Sequence, residues 1–298
     1  PKTSSAASDV YKRQVLNIFL NWIFIYGNWG APKLGLEGAG LATLLARLIT
    51  FAGLIVLCVK LPEFRDWVPR AWFRPPDWDA LRKLAAIGLP VSMQLLAEIS
   101  AFVMATFIIG SLGANALAAH QVAISCAATI FMVPLGFSQA LTVRIGEAIG
   151  AKQPERLRPI ALSGWGLVLS FTVISAISFV LFNRQIASWF LIEPVPLQLA
   201  AQLLLIGAAF QLSDAIQIAS SGVLRGLNDV RVPAWLAVFA YWVISIPIGW
   251  WFAFEWNMGV AGMWWGITIG LTITAVALSI RAWRKTHFRP APNGARVA

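Results

Sequence analysis

Apolar residues along this chain come in long runs separated by short polar connections. Eight runs stand out, at 15–29, 36–60, 85–110, 115–143, 160–182, 197–224, 233–254 and 260–281. All but the first reach the roughly 20 residues that a helix needs to cross a bilayer. The pattern predicts an all-α, polytopic membrane bundle, in which each helix satisfies its own backbone hydrogen bonds away from water.

Composition agrees with that class. The 298 residues are 58% hydrophobic and 12% charged, against roughly 25% charged in soluble domains. A formal charge of +10 could indicate a nucleic-acid partner, but the placement of the charges excludes one. Basic residues gather in alternate connections: Lys60, Arg65, Arg70, Arg74, Arg82 and Lys83; Arg144, Lys152, Arg156 and Arg158; Arg225 and Arg231; Arg281, Arg284, Lys285, Arg289 and Arg296. The intervening connections hold only Lys33 and Arg184. This is the positive-inside bias of a bacterial-type inner-membrane protein. It places 60–84, 144–159, 225–232 and the C-terminus in the cytoplasm, with the lipid bilayer as partner and no obligate protein partner evident. Cys58 and Cys126 lie within apolar spans, without disulfide or metal spacing.

Residues 1–14, polar and aperiodic, are expected to be a non-native or disordered leader, because they switch abruptly into a span too short for a bilayer. A repeat organises the remainder. "LGLEGAGLATLLARLIT" (34–50) aligns without gaps with "MGVAGMWWGITIGLTIT" (258–274), pairing Gly35 with Gly259 and Gly38 with Gly262. Each segment opens a span of the same orientation, the signature of a parallel duplication. The second unit then covers 85–281 with six spans, and the first is represented by its last two at 15–60. Residues 61–84, rich in Pro, Trp and charge, form a cytoplasmic linker, and 282–298 a cytoplasmic tail. Eight helices are present of an expected twelve, in two pseudo-symmetric six-helix lobes.

Two acids interrupt the apolar runs, Glu98 in 85–110 and Asp214 in 197–224. A carboxylate at mid-membrane costs roughly 2.5–3.5 kcal/mol on insertion scales, so each is expected to face protein or a water-filled cavity. Helical spacing shows what accompanies them: Gln94 with Glu98; Gln211, Asp214 and Gln217, continued by Ser221; and, on 115–143, Gln121, Ser125 and Thr129. Three polar stripes are expected to meet in one cavity, where an acid is neutralised by a proton, by Na⁺ or by a cationic ligand. No cofactor is expected. Pro134 with Gly136 is a candidate hinge. Arg47, midway along 36–60, reads equally as an internal ion-pair partner or a cavity-lining residue. Phosphate loops, HExxH and nucleophile elbows are absent from the sequence, which argues against an enzyme.

The stretch "IGLPVSMQLLAEISAFVMATFIIGSLGANALAAHQVAISCAATIFMVPLGFSQALTVRIGEAIGAKQPERLR" resembles the start of the C-terminal lobe of the multidrug and toxic compound extrusion (MATE) family, most like its NorM branch. "QLSDAIQIASSGVLRGLNDVRVP" resembles that family's tenth helix and the loop after it, and "LNWIFIYGNWGAPKLGLEGAGLATLLAR" its fifth and sixth helices. The resemblance implies alternating access, with export of organic cations and amphipathic drugs in exchange for Na⁺ or H⁺. It also implies that Glu98 and Asp214 carry the cation and substrate site. A lipid-linked-substrate flippase of the same wider superfamily is the alternative, although its cavity would call for several basic residues; a polytopic membrane enzyme is a more remote one.

Overall fold

The computed structural model describes the backbone of residues 4–60 and 77–287. These form eight long helices: α1 (Ser4–Tyr26), α2 (Gly35–Lys60), α3 (Trp78–Gly110), α4 (Ala114–Gly150), α5 (Leu157–Ser188), α6 (Pro194–Gly226), α7 (Arg231–Phe254) and α8 (Gly259–Thr286). The described residues contain no strand. Helices α2 to α8 are long and apolar enough to cross a membrane, and Val15–Tyr26 is a shorter apolar segment within α1. The all-α membrane bundle is as the sequence pattern requires.

Helix ends differ from expectation where polar residues make good helix starts. The carboxylate of Asp77 accepts the backbone N–H groups of Asp79 and Ala80 at 3.0 and 3.1 Å, an N-cap that satisfies donors otherwise left unpaired. Residues 78–84, expected in the linker, are therefore the first turns of α3. Residues 4–14, expected to be an unstructured leader, are helical as part of α1; they contain neither Gly nor Pro to stop a helix. The rest of the linker, the tail beyond 287 and the side chain of Cys58 lie outside the described residues.

The chain divides into two compact units, Pro1–Pro76 and Asp77–Ala298. The first is a helical hairpin, and the repeat appears in its turn. Gly35 and Gly259 each open a helix at left-handed φ, +55° and +57°, a conformation that glycine adopts without steric cost. The preceding residues act alike: the Leu34 N–H donates to the Phe24 carbonyl at 3.0 Å, and the Met258 N–H to the Phe252 carbonyl at 3.1 Å. A Cβ on Gly38 would lie 2.3 Å from that Phe24 oxygen, and one on Gly262 would lie 2.8 Å from that of Phe252. Both aligned glycine pairs thus do the same work in each unit.

In the second unit α6 is central, packed along α4, α5 and α8 and buried on nearly every side through its middle. Small residues permit close approach where apolar lipid offers no hydrophobic drive for association. Gly222 and Gly226 of α6 abut Ser138 and Thr142 of α4. The Ser138 hydroxyl donates to the Ile218 carbonyl at 2.7 Å, and that of Thr142 to the Gly222 carbonyl at 3.0 Å. Helix α4 stays continuous through Pro134 and Gly136.

Helix α7 is not uniform. Phe239–Ser245 winds as a π-helix, closed by an Ile246 N–H bond to the Tyr241 carbonyl five residues back. The cause is Pro247, which has no N–H and whose ring would clash with the carbonyl of Val243 in a regular helix. Widening the preceding turn removes the clash. Two apolar cores fill the unit. One contains Ile109, Phe210, Trp264 and Leu271, and the other Leu141, Ile145, Val223 and Leu278.

Candidate functional site

Between these cores lies a polar belt drawn from α3, α6 and α7. Helical spacing puts Gln94 and Glu98 on one face of α3, and Asp214, Gln217 and Ser221 on one face of α6. The two faces meet: Gln94 Nε2 donates to Ser221 Oγ at 3.3 Å. Glu98 and Asp214 come within electrostatic range of each other, Asp214 only 8% exposed and Glu98 half-buried.

Helix α7 contributes Tyr241, 1% exposed, and the π turn carries it there. Its hydroxyl donates to Gln217 Oε1 at 3.2 Å and lies beside the Glu98 carboxylate. One O–H therefore faces two acceptors, and it can serve only one at a time. Apart from Ser245, Tyr241 is the sole hydroxyl of its span. That was the available signal, but a search at intervals of three and four residues passes over a residue presented by a π turn.

Aromatic rings continue from the belt towards the α3–α4 turn. Phe102 meets Tyr241 at 6.3 Å and Phe210 at 6.0 Å, and Phe210 meets Trp264 at 5.5 Å. Beyond them sits His120, 1% exposed. Trp264 Nε1 lies 3.1 Å from His120 Nδ1, and Thr106 Oγ1 lies 3.0 Å from His120 Nε2. An indole N–H can only donate, so Nδ1 accepts and the proton of the neutral ring sits on Nε2. Thr106 Oγ1 accepts a hydrogen bond from that Nε2–H while its own hydroxyl donates to the Phe102 carbonyl at 2.9 Å. Helices α3, α4 and α8 are tied together with every group paired.

Not every expected residue joins the belt. Gln211 is buried but turns to α5, where Ser175 Oγ donates to its Oε1 at 2.9 Å; its Nε2 has no partner among the described residues. Gln121 and Ser125 are exposed on α4. The Ser125 hydroxyl bonds back to the Gln121 carbonyl at 2.6 Å. The expected convergence of three stripes is thus a convergence of two, with α7 replacing α4, because the buried face of α4 carries Ser138 and Thr142 instead. Arg47 lies in the first unit, and among the described residues it forms no ion pair.

Comparison with known proteins bears on this arrangement. The family model described as MatE matches residues 90–251, which include the whole belt. The chain is 38% identical over 274 residues to a probable multidrug resistance protein NorM of Brucella suis, covering 90% of this chain and 58% of that protein. It is 36% identical over 279 residues to the multidrug resistance protein PmpM of Pseudomonas aeruginosa, covering 92% and 58%. The chain therefore spans less than two thirds of the length of these relatives. Among solved structures, an outward-facing multidrug resistance MATE transporter superposes with a TM-score of 0.81 at 22% identity, over 92% of this chain and 60% of that one. The eukaryotic MATE transporter AtDTX14 superposes at 0.83 and 19% identity, over 94% and 62%. These structures share the helical membrane fold, and the relatives are named as multidrug transporters, not as enzymes. With the family model covering more than half of its length, the chain belongs to the MATE family.

Proposed function

We propose that the chain supplies the carboxylate-bearing lobe of a multidrug efflux antiporter, exchanging organic cations for Na⁺ or H⁺ by alternating access. The observation that carries this reading is the meeting of Glu98, Asp214 and Tyr241 in one polar belt between two apolar cores. Two acids this close repel each other when both are charged. A proton, a sodium ion or an organic cation relieves the repulsion, so these species compete for one site. Carboxylate, phenol and amide oxygens are the donors that hard cations prefer, and the half-buried ring of Phe102 stands beside Tyr241 as a contact for a cationic aromatic drug.

Tyr241 gives the site a way to register occupancy. With Glu98 charged and empty, the hydroxyl donates to the carboxylate; with a cation on Glu98, it returns to Gln217. A ligand moves a conformational equilibrium by as much as its affinity differs between the two states. Alternate pairing of Tyr241 supplies such a difference on α7. The bacterial relatives and the alternation of basic connections support a location in the inner membrane with the 227–230 loop and the C-terminus in the cytoplasm.

The test is ethidium efflux from efflux-deficient cells expressing the complete gene, under imposed Na⁺ or H⁺ gradients. Wild type is expected to extrude the dye with one gradient and not without it, and Glu98→Gln and Asp214→Asn to lose that dependence. Gradient-dependent efflux retained in both variants would make the acids structural. Absence of cation efflux under every gradient would favour the flippase.

A further inference from the structure

The ends of α5 and α8 that carry basic residues form a cluster well away from the carboxylate belt. Arg158 stands in the first turn of α5, and its guanidinium lies 4.1 Å over the ring of Trp283 on α8. Trp165, two turns along α5, stacks on the same ring at 6.4 Å and donates its indole N–H to Ser220 Oγ on α6 at 3.1 Å. The Trp283 ring is thereby held in place, yet it remains 39% exposed. Arg158 Nη1 also lies 3.4 Å from His287 Nδ1. A guanidinium can only donate, so Nδ1 accepts and the neutral imidazole carries its proton on Nε2. Arg158 has no carboxylate partner among the described residues, whereas Arg281 and Lys285 share Asp229 at 2.6 and 2.8 Å. Residues 288–298 contain no acid, so the tail brings none. Towards mid-membrane, Ile273, Val276 and Ile280 continue the Trp283 face of α8 at intervals of three and four, and all three are exposed.

We propose that Arg158, Trp283 and His287 form a binding site for the phosphodiester of an anionic phospholipid, whose acyl chain lies along the Ile273–Ile280 stripe. Stacking occupies the face of the guanidinium and leaves its edge, where only one of five N–H groups is engaged among the described residues. That planar fork matches two phosphate oxygens at once, and the Nε2–H of His287 supplies a further donor. Tryptophan rings settle at headgroup depth, so the donors stand where phosphates are found and the stripe stands where chains begin. Basic pockets between helices favour anionic headgroups in this way. A zwitterionic lipid fits less well, because its own ammonium group is repelled by Arg158 and by Arg284 in the same turn as Trp283. The site stands apart from the efflux reading and does not depend on it.

The complete protein, purified in detergent, is titrated with phosphatidylglycerol and separately with phosphatidylethanolamine of the same acyl chains, and bound lipid is counted by native mass spectrometry. Wild type is expected to retain one phosphatidylglycerol more tightly than any phosphatidylethanolamine. Arg158→Gln should weaken that lipid about tenfold, the worth of one charge-assisted hydrogen bond, and leave phosphatidylethanolamine unchanged. Trp283→Leu keeps the charge but removes its platform, and should weaken phosphatidylglycerol as well. Lys152→Gln removes an exposed charge from the α4–α5 connection and should change neither lipid. Should Arg158→Gln fail to fold, His287→Phe at the end of α8 takes its place, and the proposal requires it to weaken phosphatidylglycerol selectively. Equal retention of the two lipids by wild type, or phosphatidylglycerol affinity unchanged in Arg158→Gln or His287→Phe, would overturn the proposal. An equal loss in Lys152→Gln would also overturn it, since the attraction would then be the diffuse field of a basic surface. Displacement of the lipid by millimolar inorganic phosphate would assign the donors to a soluble anion and overturn it likewise. The efflux site stands or falls separately from all of these results.

Discussion

Single hydrogen bonds in the second unit are consequential because little water is available to replace them. Trp264 shows this: among the described residues its indole N–H is the only partner of His120 Nδ1. Trp264→Phe leaves a buried acceptor unpaired, which costs about 1–3 kcal/mol. The variant should melt at a lower temperature in detergent while retaining cation binding; an unchanged melting temperature would mean the pairing contributes nothing. Asp229 makes the converse case at the α6–α7 loop. Burial works against its charged form, but hydrogen bonds and charge from Arg281 and Lys285 outweigh this and hold the carboxyl below its usual range. A depressed carboxyl stabilises the fold above the ordinary range, near pH 4, and loses that contribution as pH falls through its lowered one. Asp229→Asn should therefore reduce the melting temperature at pH 7, with the gap closing as acid protonates the wild type. A gap independent of pH would point to packing rather than charge.

Two glycines separate the demands on helices that pack from those on a helix that bends. A Cβ on Gly266 of α8 would stand 2.3 Å from the backbone of Gly249 on α7, whereas one on Gly136 of α4 meets nothing within 4 Å. Gly266→Ala forces α7 and α8 apart, at a cost of about 1–3 kcal/mol or more. Gly136→Ala should instead stabilise α4 by about 0.5–1 kcal/mol. If Pro134 and Gly136 act as a hinge, the same change slows efflux while raising the melting temperature. Faster or unaltered efflux would dismiss the hinge. Element identities were legible in the sequence because uninterrupted apolar runs of this length admit only helices. Their ends were not, since Asp77 and the breaker-free residues 4–14 extend helices past the apolar limit. The π turn of α7 was hidden for a different reason: Pro247 acts on the turn before it, and only the fold shows which residue that turn carries inward.

At the scale of the whole second unit, two apolar cores enclose one polar layer, and that layer was half visible beforehand. Glu98, Gln94, Asp214 and Gln217 stood out because each breaks an apolar run at helical spacing. Gln121 and Ser125 satisfied the same rule and proved to lie on an exposed face, because spacing identifies a stripe but not its direction. Tyr241 was overlooked because a π turn presents it, off the three- and four-residue spacing by which a stripe is recognised. The central claim is that Glu98 and Asp214 form one site for which organic cation and coupling ion compete. Equilibrium binding of tetraphenylphosphonium to the purified protein, titrated with Na⁺ and separately with acid, tests it most directly. The account predicts that one of the two displaces the organic cation competitively, and that Glu98→Gln and Asp214→Asn each weaken binding and abolish the displacement. Binding that neither ion displaces, or displacement that persists in both variants, would contradict it.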